Sequence, residues 1–289
     1  MTNAMSFGIL GGDKRQIALA NSICLDGHNV CVSGFDKYQD DLKVKNIDID
    51  TLVLKSDYIL LPIPVSRDGV SLNSPFCDQE IKIDKNFVNK LKDKIVFCAM
   101  KDDLIKICES FKFCNLYDYA KREDFANGNA IPTAEGAIEI ALKEHGETIN
   151  GASCLVCGFG RIGKVLTPML KGLGANVCVS ARKLNDILLI KELKCNAVLT
   201  SDIRKTSGYD LIFNTVPHLI FDYETLKNSA KGSIIIDLAS MPGGADDESA
   251  ESLNIKVIHA LGLPGKFAPK TAGEIIKNTI YNMIKEEGL

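Results

Sequence analysis

The stretch from Ile149 to Lys183, INGASCLVCGFGRIGKVLTPMLKGLGANVCVSARK, most restricts what this 289-residue chain can fold into. Ala152 to Cys157 is a short apolar run, the pattern of a strand buried on both faces. Gly158-Phe159-Gly160-Arg161-Ile162-Gly163 completes G-x-G-x-x-G where that strand ends. One helix length later, a second apolar run covers Ala175 to Ser180. Strand, glycine loop, helix and strand in this order form a β-α-β unit whose loop binds a dinucleotide. Gly158 permits the tight turn, Gly160 lets a pyrophosphate approach the backbone, and Gly163 lets the helix pack on the sheet. The amides of the first turn, at Arg161 and Ile162, face the phosphates at the positive end of the helix dipole. Pro168 lies inside the same helix, where a proline costs about 3 kcal/mol or kinks the chain.

The end of the second strand bears on which dinucleotide binds. An NAD-type site carries Asp or Glu there, about 20 residues on, to hold the ribose 2′-hydroxyl. This chain has Ser180-Ala181-Arg182-Lys183. A hydroxyl followed by two cations suits a 2′-phosphate, with Arg182 able to grip it bidentately. The expectation is NADP rather than NAD, against the competing reading of a solvated basic loop.

The length suits two domains. A formal charge of −3 and the lack of a Lys/Arg stripe argue against a nucleic-acid partner. No apolar run approaches the roughly 20 residues of a membrane span, and the start shows no secretory pattern, so a soluble, intracellular protein is expected. Ten cysteines invite a disulfide or metal reading. Cys31, Cys98, Cys154, Cys157 and Cys178 lie in or beside apolar strand runs, where a thiol behaves as a small hydrophobe. Cys154-x-x-Cys157 has redox or zinc spacing, but residues three apart on a strand face opposite sides. No second pair accompanies it, and no metal site is expected.

Ser6 to Gly12 begins another βα unit, with a helix over Asp13 to Cys24 and a strand over His28 to Phe35. Its glycines do not make the fingerprint, so it reads as a domain of the same type that does not itself hold the dinucleotide. Further strands are expected at 57–61, 94–99, 114–117, 210–214, 233–237 and 256–259, and helices at 102–111 and 184–193. Strands alternating with helices mean a parallel sheet covered on both faces. Ile131-Pro132-Thr133-Ala134-Glu135-Gly136 reads as a helix start, with Thr133 as N-cap and Glu135 in the first turn, leading to His145 and connecting the domains. The reading is two Rossmann-like, doubly wound α/β domains with an interdomain cleft. Residues 1–130 form the first domain and 131–271 the dinucleotide domain; a helix over 272–289 returns to the first.

Several loops carry specific strings: Asn214-Thr215-Val216-Pro217, Asp237-Leu238-Ala239-Ser240-Met241-Pro242-Gly243-Gly244, and Gly262-Leu263-Pro264-Gly265 running into Ala268-Pro269-Lys270-Thr271-Ala272-Gly273. With Gly11-Gly12-Asp13, Arg15-Gln16 and the 131–136 segment, they resemble the A subunit of dipicolinate synthase over nearly the whole chain. More loosely, the layout is similar to 2-hydroxy-acid dehydrogenases, although their histidine-plus-acid pair has no clear counterpart. The resemblance implies oxidation of a dihydrodipicolinate-type intermediate, or its hydroxylated precursor after water loss, to pyridine-2,6-dicarboxylate in the mother cell of a sporulating bacterium. It also implies that the partner is a flavoprotein-like B subunit; a homodimer is a further possibility.

A dicarboxylate calls for cations at both ends, and Arg15, Lys14, Arg67 and Lys270 are the candidates, Arg15 and Lys270 foremost because they sit in the resembling loops. Asn214, Thr215, Val216 and Pro217 are expected along the nicotinamide-ribose end of the crevice, with helix capping as the alternative for Asn214 and Thr215. Asp237 and Ser240 read as polar orienters or a proton relay, or as structural turn residues. Thr133 and Glu135 divide between capping and lining the substrate site. His218 is the one histidine placed for acid–base work.

Overall fold

The computed structural model describes residues 4–289 except Gln39 and Asp41. The chain divides into two compact units. One runs to Gly128 and resumes at Ala268–Leu289; the other is Asn129–Phe267.

The first unit contains β1 (Ser6–Leu10), α1 (Lys14–Leu25), β2 (Asn29–Ser33), β3 (Lys45–Asn46), α2 (Ile49–Lys55), β4 (Tyr58–Leu60), α3 (Lys85–Leu91), β5 (Ile95–Cys98), α4 (Lys101–Ile107) and β6 (Asn115–Asp118). Helix α5 (Glu123–His145) follows. The second unit then continues with β7 (Ser153–Cys157), α6 (Arg161–Gly172), β8 (Asn176–Ala181), α7 (Leu184–Glu192), β9 (Asn196–Leu199), β10 (Leu211–Asn214), α8 (Tyr223–Ser229), β11 (Ile234–Asp237), α9 (Asp247–Ser252), β12 (Lys256–His259) and α10 (Leu263–Phe267). The last helix, α11 (Pro269–Glu287), belongs to the first unit.

Each unit is built on one six-stranded sheet, ordered β3-β2-β1-β4-β5-β6 and β12-β11-β10-β7-β8-β9. Every pairing between these strands is parallel. Counted from each unit's own first strand, both sheets have the order 3-2-1-4-5-6, the doubly wound arrangement expected from the sequence. Parallel strands need crossover helices, and these cover both faces. On β7, Cys154 and Val156 enter one core with Leu166 and Leu170 of α6, while Leu155 and Cys157 enter the opposite core with Phe221 and Leu226. The C-x-x-C pair therefore points to two sides of one sheet. Burial pushes the Cys154 thiol up to about 12 and that of Cys157 higher still, which makes both poor nucleophiles.

Helix α11 completes the first core. Ile276, Ile280, Met283 and Ile284 pack with Phe7, Leu19 and Ile23, each worth about 1.5–3 kcal/mol when fully buried. Gly273 allows α11 to approach α1, since a Cβ there would lie 2.8 Å from both Arg15 O and Leu19 N. Lys277, buried beside it, donates to Ser22 Oγ at 2.7 Å and pairs with Asp26 at 2.9 Å and Glu274 at 3.0 Å. Arg122 bonds Glu286 at 2.6 Å and Asp124 at 3.1 Å.

Several expectations are corrected. Pro132 does not open a helix: α5 begins at Glu123 and runs through it. Thr133 is consequently no N-cap; its hydroxyl donates to Asn129 O, one turn back, at 2.7 Å, and Glu135 is an exposed mid-helix residue. The helix expected over 102–111 ends at Ile107 and gives way to a 3-10 turn over Glu109–Phe113. Strands β3 and β9 and the short helices α2 and α3 were not expected. Pro168 is accommodated inside α6, where Thr167 donates its hydroxyl to Gly163 O at 2.7 Å. Among the described residues, no helix is long and apolar enough to cross a membrane.

Two stability outcomes follow from this packing. Gly273→Val forces a side chain between α1 and α11 and is expected to cost about 1–3 kcal/mol in urea unfolding. The hydrogen bonds from Arg122 hold Asp124 and Glu286 below the usual carboxylate range. Lowered folded-state values stabilise the fold above the unfolded carboxylate pKa of about 4, and that contribution disappears as pH falls through the lower folded-state values. Arg122→Gln should therefore be less stable than the parent at neutral pH and converge on it at about pH 2.

Candidate functional site

The loops following β7, β8 and β10 enclose a cleft of about 440 Å³ in the second unit. It opens at the carboxyl ends of the strands where the order reverses between β7 and β10, the place where open α/β sheets bind ligands. Each glycine of the fingerprint has a distinct surrounding. Gly158 has φ +95°, and a Cβ there would meet Thr215 Oγ1 at 2.5 Å. At Gly163 an added Cβ would lie 2.1 Å from Gly158 O, so the helix can reach the strand only without a side chain. Gly160 differs: nothing lies within 4 Å of the Cβ position. It is the N-cap of α6 and supplies no side-chain acceptor to the first turn. An open backbone at a helix start suits a pyrophosphate, and the residues fit a bound dinucleotide. Ile162 packs partly against the core, so it serves this turn through its backbone.

Lys164, Arg182 and Lys183 line the cleft, with Asp186 as the one acid among its lining residues. Lys164 Nζ lies 5.6 Å from the centroid of the Phe159 ring. Ala181 is buried in the core and lines the cleft beside Arg182. Ser180 does not fit its expected role at a 2′-phosphate: it is completely buried and takes the Gly158 N–H on its Oγ at 3.3 Å and on its carbonyl at 3.1 Å. It supports the phosphate loop from beneath.

The opposite wall is Thr215, Val216, Pro217 and His218. Thr215 donates both its N–H, at 2.9 Å, and its hydroxyl, at 2.7 Å, to Cys157 O. Asn214 is completely buried; its amide nitrogen donates to Val216 O at 3.0 Å and to Asp237 Oδ1 at 2.8 Å, and its Oδ1 accepts from Val216 N at 3.2 Å. Asp237 is also completely buried and accepts from Ala239 N at 3.1 Å and Gly244 N at 2.7 Å. Both its oxygens are occupied by fixed donors, so the expected proton-relay role does not fit. Ser240 is exposed in the turn that follows.

Other candidates are dispersed. Arg15 is 7% exposed; its Nε and Nη2 donate to Asp13 at 2.9 and 2.8 Å, and Nη2 also donates to Ile63 O. Its charge is balanced by Asp13, and the Ile63 carbonyl fixes the guanidinium in place. Lys270 lines a groove with Ala18, Asn21, Ser22 and Leu25, along α1 rather than at the Arg15 guanidinium. Lys14, the first residue of α1, and Arg67, in the loop after β4, are exposed near the first unit's own switch point. Phe159, Lys164, Asp186 and Thr200 line the cleft without having been singled out from sequence. Lys164 follows the fingerprint directly, a usable signal; Thr200 is delivered by β9, which left none.

The first unit's equivalent loop is filled by the protein itself. Gly12 N–H donates to Asn73 O at 2.7 Å, and a Cβ on Gly11 would meet that same oxygen at 3.1 Å. Asp36, after β2 where a ribose-binding acid would stand, accepts Asp78 N–H at 3.1 Å, Cys77 Sγ at 3.4 Å and Asn46 Nδ2 at 2.8 Å.

Two doubly wound units, with one phosphate loop open at its switch point, define an NAD(P)-dependent oxidoreductase. The family model for the N-terminal domain of the dipicolinate synthase A subunit matches residues 6–120, and that of the D-isomer specific 2-hydroxyacid dehydrogenase, NAD binding domain, matches residues 130–262. The chain is 28% identical to the A subunit of dipicolinate synthase from Bacillus subtilis, over 99% of this chain and 98% of that one. It superposes on the crystal structure of the A subunit from Bacillus halodurans with TM-score 0.87 and 30% identity, covering 97% of each chain. The crystal structure of the Bacillus subtilis protein gives TM-score 0.85 and 29% identity over 99% of this chain and 97% of that one. The chain belongs to the family of dipicolinate synthase A subunits.

The glycine geometry separates fold from binding. Gly160→Ala should leave stability within about 0.5 kcal/mol and weaken dinucleotide binding by on the order of tenfold, about 1.4 kcal/mol. Gly163→Ala should instead lower the unfolding midpoint, because its Cβ has no room. Calorimetric titration and thermal unfolding of the two variants check this.

Proposed function

We propose that this chain oxidises a dihydrodipicolinate-type cyclic imine dicarboxylate to pyridine-2,6-dicarboxylate and that it prefers NADP. The observation that carries the reading is the cleft itself: in a chain of this family, the open backbone at Gly160 faces a basic strand end at Arg182 and Lys183. When bound, the dinucleotide would accept the hydride as the ring becomes aromatic. The chain's own residues bind and orient. Arg182 and Lys183 supply the charge that a 2′-phosphate requires. Thr215, Val216 and Pro217 wall the nicotinamide end. His218, exposed at the cleft beside Pro217, receives the proton that leaves with the hydride, directly or through water. Lys14, Arg67 and Lys270, all exposed, are the candidate cations for a dicarboxylate. By the same resemblance, the protein works in the cytoplasm of a sporulating mother cell with a flavoprotein-like B subunit.

The test mixes the purified chain with enzymatically generated dihydrodipicolinate and NADP, with and without such a partner, following the aromatic product by ultraviolet absorbance. Turnover by the chain alone is expected. Activity only with the partner would give this chain a binding role, and inactivity in both cases would remove the dipicolinate reading. Arg182→Ala should weaken NADPH by on the order of tenfold and leave NADH within about twofold; tighter binding of NADH than NADPH by the parent would overturn the cofactor preference. His218→Ala should alter the pH–rate profile, and an unchanged profile would remove the residue from this role.

A further inference from the structure

In the loop that walls the nicotinamide side of the cleft, Thr215 is tied to Cys157 O and Val216 to the Asn214 side chain. The loop's shape comes from below. Asn214 ends β10 and Asp237 ends the neighbouring β11, paired in register. The Asp237 carboxylate spends one oxygen on Asn214 Nδ2 and Ala239 N, and the other on Gly244 N. Asn214 in turn grips Val216 from both sides, donating to its carbonyl and accepting its amide. Glycine is required where the 243–244 backbone passes: a Cβ on Gly243 would lie 2.8 Å from Asp237 Oδ2, and one on Gly244 would lie 2.2 Å from Asn214 Nδ2 and 2.9 Å from Val216 O. His259 closes the outer side, its Nε2 against Asp247 at 2.8 Å and its Nδ1 4.0 Å from Asp237.

A buried carboxylate surrounded by fixed donors holds those donors in one arrangement, and removing its charge leaves them unsatisfied. Two strand ends and two loops converge on Asp237, and one of those loops lines the cleft. We propose that Asp237 is a positioning residue for the oxidoreductase reaction: acting through Asn214, it fixes the Thr215–Pro217 wall against which the nicotinamide half of the cofactor is set. None of the hydrogen bonds described for this network involves Gly160, Arg182 or Lys183. The inference rests on the dinucleotide cleft described above and not on the identity of the substrate.

The experiment compares binding of the whole cofactor with binding of its adenosine half. NADPH and NADH are titrated by the fluorescence of the reduced nicotinamide, and ADP-ribose and its 2′-phosphate by calorimetry, against the full chain and two variants. Asp237→Asn places an amide where the donors need an acceptor. Gly244→Ala keeps the carboxylate and pushes Asn214 aside, so it tests the same wall if the first variant folds poorly. Both should weaken the reduced dinucleotides by on the order of tenfold and reduce the nicotinamide fluorescence change, while the adenosine-half ligands stay within about twofold. Unchanged dinucleotide binding in folded variants would overturn the proposal. So would equal weakening of whole and half ligands, which marks a general structural role. Because these readouts need no turnover, they stand apart from failure of the dipicolinate reading.

Discussion

The second unit depends on a backbone-to-backbone approach: α6 can begin where it does only because Gly163 lies against the carbonyl of Gly158, with no room for a methyl group between them. That contact sets the angle at which the helix leaves the sheet, and hence where its first-turn amides point. The strand beneath is buried on both faces, so it cannot shift to accommodate a larger residue. Ser180 accepts from the Gly158 amide and Thr215 donates to the Cys157 carbonyl, which joins the loop to strands on either side. The opening at Gly160 is the space this close packing leaves at the one position it does not use.

The same topology occurs twice and is used in two ways. In the first unit the segment around Asn73 to Asp78 satisfies the donors and acceptor that a nucleotide would meet, with a peptide carbonyl on Gly12 and a peptide amide on Asp36. A buried polar group needs a partner wherever it comes from, and here the protein provides its own. Fold alone therefore does not decide which unit binds; the local hydrogen bonding does.

What was legible in the sequence was what periodicity and glycine spacing encode. The central strands, apolar on both faces, stood out, as did the fingerprint and the alternation that implies a doubly wound sheet. The edge strands β3 and β9 were not legible, unlike β6 and β12 at the opposite edges: β3 is two exposed residues, and β9 is only partly buried with three apolar residues, so neither leaves a run long enough to stand out. The Ile131–Gly136 segment looked like a helix start because Thr133 is a capping residue and Glu135 would stand in the first turn, yet α5 continues through it. Helices α2 and α3 carried a readable signal in their Asp48 and Asp84 caps. Side-chain commitment was the harder matter. Arg15 and Ser180 have the right chemistry for ligands, but burial and internal partners engage both, and only three-dimensional neighbours reveal that. Asp237 stood open between orienter, proton relay and structural residue; it is buried and is not among the residues that line the cleft.

The first unit is discontinuous, closed by a helix that lies beyond the whole second unit in the chain. During synthesis the second unit emerges with all of its strands before α11 exists. Until α11 arrives, the face of α1 that it covers stays open to water, including the surface around Leu19 and Ile23. The nucleotide-binding half can thus reach its folded state while the other half waits. A chain interrupted after Phe267 would carry a complete cofactor cleft beside a core lacking its last helix, with an exposed apolar surface for quality control to recognise.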